Sequence, residues 1–153
     1  MQIRNIIKLP VVLVALIMLA MFILGSMSPG YTFALHNAVI LSSVMFTFGI
    51  FVIVIGGYSF KKVNTTVNPV TPELSTQLVT TGIYKISRNP MYIGFLIWLI
   101  ACVIFVGSLI NLLLLPIFIF LANRLYIFPE EKALEKLFKD QYTEYKNSVR
   151  RWL

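Results

Sequence analysis

The sequence is short of charged residues. Only 12% of its 153 residues are Asp, Glu, Lys or Arg, about half the share that a soluble domain usually carries. Hydrophobic residues make up 58% of the chain. This composition excludes an ordinary soluble globular domain and indicates an integral membrane protein.

The sequence also has few of the residues that build disulfides or metal sites. It contains one cysteine, Cys102, and one histidine, His36. A single cysteine forms no intrachain disulfide, and these two residues do not supply the ligand set of a metal site. We therefore expect no metal and no disulfide framework, and we assign neither residue a role.

Two apolar stretches in the first part of the chain predict transmembrane helices. They run from Leu9 to Leu24 and from about Ala34 to Phe60, and the residues between them read as a turn at Gly25, Ser26 and 28–30. No A-x-A-like cleavage site follows the first stretch, so we interpret it as an uncleaved helix rather than a signal peptide. Small residues in the second stretch predict close packing against another helix; they are Ser42, Ser43, Gly49, Gly56 and Gly57.

A third apolar region, from Asn89 to Asn123, contains no charged residue. As one helix it would be about 52 Å long, whereas the hydrocarbon core of a bilayer is only ~30 Å thick. The region therefore predicts a hairpin of two helices, at 90–106 and 110–127, with the reversal at Gly107-Ser108 and Asn111.

In this arrangement all thirteen lysines and arginines lie on one side of the membrane. They fall within residues 1–8, 61–90 and 124–153, whereas the loops at 25–33 and 107–111 contain none. The positive-inside rule then places the N-terminus, the long middle loop and the C-terminus in the cytosol. It also explains the net charge of +7 without a nucleic-acid partner and leaves membrane lipids as the surroundings.

The residues after Pro129 predict an amphipathic helix. Apolar side chains recur every three or four positions, at Leu134, Phe138, Tyr142, Tyr145 and Val149. Such a helix either lies on the membrane surface or covers a structure formed by the loops. The predicted fold class is an all-α integral membrane protein with about four transmembrane helices, including a C-terminal hairpin, and a cytosolic amphipathic C-terminal helix.

Ordered motifs lie on the predicted cytosolic side. They are L-V-T-x-G-I-Y at 78–84, S-R-N-P-M-Y-x-G at 87–94, E-E-x-x-L at 130–134, and Y-x-x-Y followed by V-R-R-W within 142–152. Through them the stretch from Thr65 to Trp152 closely resembles the isoprenylcysteine carboxyl methyltransferase family, which is related to the phospholipid N-methyltransferases. The resemblance implies S-adenosylmethionine as cofactor and methyl transfer at the membrane interface. The length suits one domain over 1–153, with two helices in 1–60 and the cofactor loop, hairpin and C-terminal helix in 61–153.

The resemblance assigns cofactor binding to a set of residues on three of these motifs and just before the first. They are Thr76, Gln77, Leu78, Val79, Tyr84, Asn89, Pro90, Met91, Tyr92 and Glu130. Each has an ordinary interpretation as well.

Asn89 and Pro90 begin a helix, as N-cap and first residue, and helix N-termini favour anions such as the cofactor carboxylate. The same dipeptide also serves as a plain cap. Tyr84 and Tyr92 either face a sulfonium through cation–π attraction or anchor the interface. Glu130 either binds the ribose hydroxyls or amino group of the cofactor, or complements the helix dipole.

Three further residues are candidates for handling the acceptor: Arg88, Arg124 and Glu131. Arg88 either pairs a carboxylate bidentately or only contributes to the positive-inside bias. Arg124 either holds an anionic substrate group or snorkels from the helix end. Methyl transfer to a carboxylate needs alignment and exclusion of water but no general base. An amine acceptor must lose a proton, and Glu131 or Tyr84 is then the nearest group to accept it.

Several functions remain open at this point. Asn89 stands where the family often has His, and Tyr126 stands where prenylcysteine enzymes often carry Arg. The favoured acceptor is a prenylated or other lipid-like carboxylate, and the first alternative is a phospholipid amine or another small hydrophobic molecule. A membrane reductase with a nicotinamide cofactor, a transporter and a scaffold are further alternatives, although the predicted helices lack the mid-membrane ionisable residue of a coupled transporter.

Overall fold

A computed structural model describes residues 9–63 and 75–153. The predicted cytosolic N-terminus, 1–8, and the first part of the predicted loop, 64–74, lie outside the described residues. The described residues are helical, and their β pairing is limited to an isolated bridge between Thr32 and Ser108. The predicted all-α fold class is confirmed.

Five α-helices make up most of the described chain. They are α1 (Pro10–Met27), α2 (Ala38–Lys62), α3 (Pro90–Val106), α4 (Leu114–Ala122) and α5 (Phe128–Ser148). Short 3₁₀ turns occur at Pro29–Tyr31, Gly82–Lys85 and Leu109–Leu113, and a π-helical turn occurs at Asn123–Ile127.

These helices are long and apolar enough for a multi-pass membrane protein. Among the described residues, Pro10–Met27 and Ala38–Lys62 are long and apolar enough for a membrane span, and the continuous helix Leu109–Ser148 contains an apolar window of that length. α3 is apolar throughout but has only 17 residues. The predicted set of about four apolar helices is therefore present in the described residues, three of them long enough to span a membrane and α3 shorter.

The predicted reversal between the third and fourth apolar helices is confirmed. α3 begins at Pro90, whose missing N–H is no loss at a helix start, and ends before Gly107, whose φ of 64° is left-handed. Glycine adopts that conformation without the steric cost that a side chain imposes. The Gly107 N–H donates to the Val103 carbonyl and closes the helix end.

The sequence suggested that the fourth membrane helix ends before the amphipathic helix begins, and this is wrong. The chain passes from α4 into α5 through the π turn, where the Phe128 N–H donates to the carbonyl of Asn123, five residues back. Pro129 lacks an N–H and crowds the preceding turn, and a widened turn accommodates it without a break. The regular path of α5 is interrupted instead at Lys139, where φ is 44° and ψ is −116°.

The predicted turn at Gly25 and Ser26 is also wrong, because α1 continues to Met27. A Cβ on Gly25 would collide with Cγ1 of Val106, so this glycine allows close approach of α3 rather than a change of direction. The first turn is confined to the residues between α1 and α2, and α2 begins at Ala38 rather than Ala34, after Asn37 in a left-handed conformation.

Glycines bring α2 and α3 into close contact, as the small residues of α2 predicted. A Cβ on Gly49 would lie 2.9 Å from the carbonyl oxygen of Gly94, and Gly56 packs against Met91. Trp98 donates from Nε1 to the Phe46 carbonyl oxygen at 3.0 Å. α1 packs on the other side of α3, and the resulting apolar core holds Met21, Leu99 and Phe118. This bundle fixes the start of α3, where the candidate site lies.

Candidate functional site

A cavity lies where the end of α2, the segment after residue 74, the start of α3 and the two parts of α5 meet. The space between its walls, counted together with the part open to solvent, is about 580 Å³. Its lining residues are Phe60, Ser75, Gln77, Leu78, Val79, Tyr84, Arg88, Asn89, Glu130, Glu131, Leu134, Tyr142 and Tyr145. The cavity therefore combines an aromatic wall with a small cluster of charged groups.

The aromatic wall is held by α5. The hydroxyl of Tyr145 donates to the carbonyl oxygen of Tyr84 at 2.7 Å, and the ring of Phe60 meets that of Tyr84 edge to face at 5.3 Å. Val79, Tyr84, Tyr142 and Tyr145 form one buried cluster, against which the other apolar residues of the amphipathic stripe pack. Of the two predicted roles for the amphipathic helix, the structure shows the second: it covers a structure formed by the loop.

Glu131 is the centre of the charged cluster. Arg151 donates to it bidentately, from Nε to Oε1 at 3.0 Å and from Nη2 to Oε2 at 2.7 Å. Nη2 of Arg88 lies 3.1 Å from Oε1 of the same carboxylate. The side chains of Arg88 and Glu131 are only 8% and 12% exposed. Buried charges of this kind persist only with partners, and Glu131 has two.

Arg88 retains hydrogen-bonding capacity that the described residues do not use. Its Nε and Nη1 atoms are buried and have no hydrogen-bond partner among residues 9–63 and 75–153. An unsatisfied buried donor on a charged group is costly. Because the side chain lines the cavity, these two donors form a site suited to an anionic group such as a carboxylate.

Glu130 is the second carboxylate of the cavity, and its surroundings differ from those of Glu131. It is partly buried and forms no ion pair with any described residue. Burial, and secondly the negative charge of Glu131, raise the pKa of Glu130 to about 7. Two adjacent acidic residues thus have different surroundings: Glu131 is paired with two arginines, and Glu130 has a pKa raised towards neutral pH.

The four residues 149–152, here called the C-terminal strap, lie against the start of α3. The Arg88 N–H donates to the Arg150 carbonyl at 3.0 Å, and Nδ2 of Asn89 donates to the Arg151 carbonyl at 2.9 Å. Ser87 donates from its hydroxyl to the same Arg151 carbonyl. Asn89 occupies the N-cap position as predicted, but its side chain makes no cap hydrogen bond, because its amide binds the strap.

The structure brings eight of the predicted site residues together around the cavity. Gln77, Leu78, Val79, Tyr84, Asn89 and Glu130 represent the predicted cofactor set, and Arg88 and Glu131 the predicted acceptor set. Their roles remain predictions, since geometry alone assigns none.

Five predicted site residues do not line the cavity. Pro90 is the buried first residue of α3, Met91 packs on Gly56, and Thr76 is exposed. Tyr92 packs in the apolar core of the helix bundle, with its ring 6.3 Å from that of Tyr126. Arg124 is exposed on the π turn, so the structure does not place it where it would hold a group bound in the cavity.

Sequence reasoning missed several residues that shape the site, chiefly Arg151, Tyr142 and Tyr145. The tyrosines appeared in the amphipathic stripe, which showed that they would be buried but not against what. Arg151 appeared in the V-R-R-W motif beside Arg150, with nothing local to distinguish the two. A pair of acidic residues next to an apolar helix end was the available signal that arginine partners had to come from elsewhere in the chain.

Comparisons with known proteins identify a matching family and several relatives. The family model of the phospholipid methyltransferases matches residues 37–141. Protein-S-isoprenylcysteine O-methyltransferase of Saccharomyces cerevisiae is 44% identical over 75 residues, which cover 47% of this chain and 30% of that protein. The protein of the same name from Schizosaccharomyces pombe is 35% identical over 72 residues, with the same coverage of 47% and 30%.

A shorter relative, described only as an uncharacterized protein of Haemophilus influenzae, is 41% identical over 63 residues. The match covers 41% of this chain and all of that relative. The chain spans less than a third of the length of the two yeast relatives. No solved structure matches it significantly.

Proposed function

Because the chain belongs to the phospholipid methyltransferase family, we propose that it transfers a methyl group from S-adenosylmethionine to a lipid-like acceptor at the cytosolic membrane interface. The acceptor we favour is the carboxylate of an isoprenylcysteine-type molecule. The observation that carries the proposal is the buried Arg88 guanidinium, which lines the cavity with two donors free of partners among the described residues. In this proposal residues 1–153 work as a single domain.

The lining residues fit the cofactor. Arg88 offers donors to a carboxylate, and Glu130 offers an acceptor to ribose hydroxyls or an amino group. Gln77, Leu78 and Val79 form one wall, and the faces of Tyr84 and Tyr142 are suited to a sulfonium cation. When bound, S-adenosylmethionine supplies a methyl group on a positively charged sulfur that leaves readily. No metal is required of this site.

The protein's own part in such a transfer is alignment and exclusion of water. Phe60, Leu134, Tyr142 and Tyr145 close the cavity with apolar surface, and Tyr145 holds the Tyr84 backbone in place. A carboxylate acceptor arrives ionised, so the chain need not remove a proton. The reaction then depends on where Arg88 and Glu130 hold their ligand groups.

A phospholipid amine is the second candidate, and Glu130 is the observation that favours it. An amine must lose a proton, and an acceptor with a pKa of about 7 is well matched to that task. Glu131, predicted for this role, is occupied by two arginines, and burial raises the pKa of Tyr84 well above its usual value. Glu130 is therefore the better candidate for the proton acceptor.

The orientation rests on the position of the basic residues. The cavity lies at the end of the bundle that carries Lys61, Lys62 and Lys85, while the loop at 107–111 has no basic residue. The positive-inside rule then puts the cavity in the cytosol. A cavity there is open to a water-soluble cofactor and adjacent to the lipid that holds the acceptor.

The proposal is tested by calorimetric titration of the purified protein in detergent with S-adenosylmethionine. Arg88→Ala is the test variant, and Arg150→Ala is the control, since it removes an exposed arginine that forms no ion pair with the described residues. We expect saturable binding that the test variant weakens about 100-fold, as the loss of charge-assisted hydrogen bonds implies, and that the control leaves unchanged. Failure of the folded wild-type protein to bind the cofactor would overturn the proposal and favour the scaffold or reductase alternatives.

The acceptor is identified by methyl transfer to two probes. N-acetyl-S-farnesylcysteine presents a prenylcysteine carboxylate, and vesicles of phosphatidylethanolamine present an amine. Transfer to the first supports the favoured acceptor. Transfer to the second alone, with loss of activity in Glu130→Gln, supports the amine.

A further inference from the structure

The strap carries the one arginine of the charged cluster that the sequence motifs left without a role. Arg151 lies 20 residues after Glu131 in the chain, yet it supplies two of the three contacts to the Glu131 carboxylate given above. Its guanidinium also stacks over the ring of Phe128, with Cζ 4.7 Å from the ring centroid. The N–H edge and one face of this guanidinium are therefore both used.

The strap reaches Arg88 by two routes. The main-chain route is the hydrogen bond from the Arg88 N–H to the Arg150 carbonyl, flanked by the bonds from Ser87 and Asn89 to the Arg151 carbonyl. The side-chain route runs from Arg151 through Glu131 to Nη2 of Arg88. Arg88 is thus held at its backbone and at one end of its guanidinium.

This double hold determines which donors of Arg88 stay available. The guanidinium is planar, with five N–H donors in a fixed arrangement. Once Nη2 is bound to Glu131, the orientation of Nε and Nη1 is fixed as well, and these are the two atoms without a partner in the described chain. If Glu131 shifted, Arg88 would turn and pair with it differently.

We infer that Arg151 is a positioning residue, which holds Glu131 and the backbone of Arg88 so that the free donors of Arg88 meet a carboxylate in the cavity. The inference rests on the proposed function, because it assigns those donors to a ligand. Arg151 itself does not line the cavity, so it acts through Glu131 and Arg88 rather than on the ligand.

The strap is also anchored beyond Arg151. Nε1 of Trp152 donates to Oδ1 of Asn123 in the π turn, at 3.2 Å. That bond joins the strap to the end of the membrane bundle. Arg151 is therefore fixed between the bundle on one side and Glu131 on the other.

The test measures cofactor affinity and methyl-transfer kinetics for Arg151→Ala, Arg151→Lys and the control Arg150→Ala, all in the full chain. Arg150→Ala removes the same charge from the neighbouring position and keeps the carbonyl that binds Arg88. We expect Arg151→Ala to raise Kd or KM for the carboxylate-bearing ligand about 10- to 100-fold, since small misplacements of binding groups cost this much. Lysine keeps the charge without the two-pronged contact and should restore only part of the affinity.

A double-mutant cycle separates positioning from a general effect on folding. If Arg151 acts through Glu131, the change Arg151→Ala should add less than about twofold in a protein that already carries Glu131→Gln. Effects that multiply in the double variant would overturn the inference. So would an Arg151→Ala protein whose affinity and KM stay within twofold of the Arg150→Ala control. If Arg151→Ala does not fold, the cycle is run with Arg151→Lys.

Two ligands distinguish the source of the carboxylate. A Kd that rises for S-adenosylmethionine but not for its decarboxylated analogue assigns Arg88 to the cofactor, and a KM that rises only for N-acetyl-S-farnesylcysteine assigns it to the acceptor. Either result supports positioning. If wild-type protein binds no cofactor, the proposed function fails and the inference falls with it; if wild-type binds and Arg151→Ala matches its control, the inference alone fails.

Discussion

The membrane bundle and the cavity end of this molecule are built from different interactions. The bundle is held by apolar packing and by glycines that let α2 and α3 touch through their backbones. The cavity end is held by ion pairs, by a tyrosine hydroxyl and by a four-residue strap. Packing of the first kind is insensitive to pH, whereas the second depends on which groups are charged. Substitutions in the two regions should therefore change different properties.

The largest change in stability is expected in the bundle. Gly49→Ala places a methyl group 2.5 Å from Cδ1 of Trp98 and 2.9 Å from the Gly94 carbonyl oxygen, so α2 and α3 must separate. We expect a loss of about 1–3 kcal/mol in the free energy of unfolding, measured by denaturation in mixed detergent. Folded protein should retain its cofactor affinity.

Gly57→Ala is the matched control, because nothing lies within 4 Å of its added Cβ. There we expect no loss, and a gain of up to about 1 kcal/mol from the better helix propensity of alanine. Equal losses at both positions would mean that the bundle does not depend on the glycine contact.

The next largest effect is a pH dependence that belongs to the cavity end alone. The pKa of Glu130 is raised to about 7 in the folded chain, so the protonated form is favoured there. The stability that the protonated Glu130 side chain contributes is fully present below about pH 4, the pKa of a carboxyl group in the unfolded chain. It is lost as the pH rises through 7. A cationic ligand prefers the ionised form, so affinity should rise about tenfold between pH 6 and pH 8.

Glu130→Gln should remove the pH dependence of both stability and ligand affinity. Calorimetric titration between pH 6 and pH 8 measures the change in affinity directly. An unchanged slope in the variant would assign the titration to another group. Gly49→Ala should leave the dependence of ligand affinity on pH unchanged, so this variant tests whether the two regions are independent.

A smaller effect is expected from Tyr145→Phe. The change removes the hydroxyl that donates to the Tyr84 carbonyl in a buried position and should cost about 1 kcal/mol of stability, with a similar loss of cofactor affinity. Thermal unfolding and calorimetry measure the two. Tyr58→Phe, at an exposed tyrosine, should change neither; a matching loss there would point to a general effect of removing a hydroxyl.

The smallest effect is expected from Arg124→Ala. This arginine is exposed and lies outside the cavity. The free energy of cofactor binding, and the equivalent change in KM, should therefore shift by less than about 0.5 kcal/mol, as for surface substitutions in general. A tenfold rise in the KM of an anionic acceptor would restore Arg124 to the acceptor site that the sequence suggested.

Local chemistry explains which parts of the fold were predictable. Pro90 and Gly107 mark the ends of α3 because each acts through its own backbone, and the absence of charge between Asn89 and Asn123 required a hairpin. The continuity of α4 with α5 was not predictable, since the π turn that accommodates Pro129 has no sequence signature. Neither was the interruption at Lys139.

The candidate site was predictable only as far as its motifs went. The predicted topology placed Glu130, Glu131, Arg88 and Tyr84 on one side of the membrane, and the structure brings them together around the cavity. Whether Tyr92 faces the cavity or the bundle depends on the rotation of α3, which the packing of Gly49 and Gly94 sets. The choice of Arg151 over Arg150 depends on the path of the strap, which only long-range hydrogen bonds determine.

The length of α3 has a consequence for the depth of the site. Its 17 residues span about 26 Å, a few ångströms less than the ~30 Å hydrocarbon core of an average bilayer. With Gly107 at the far boundary, Pro90 lies slightly below the level at which headgroups begin, or the bilayer thins around the helix. The length of this helix therefore sets how deep the cavity lies. In the proposed function, the thickness of the bilayer then determines which atoms of a lipid acceptor reach Arg88.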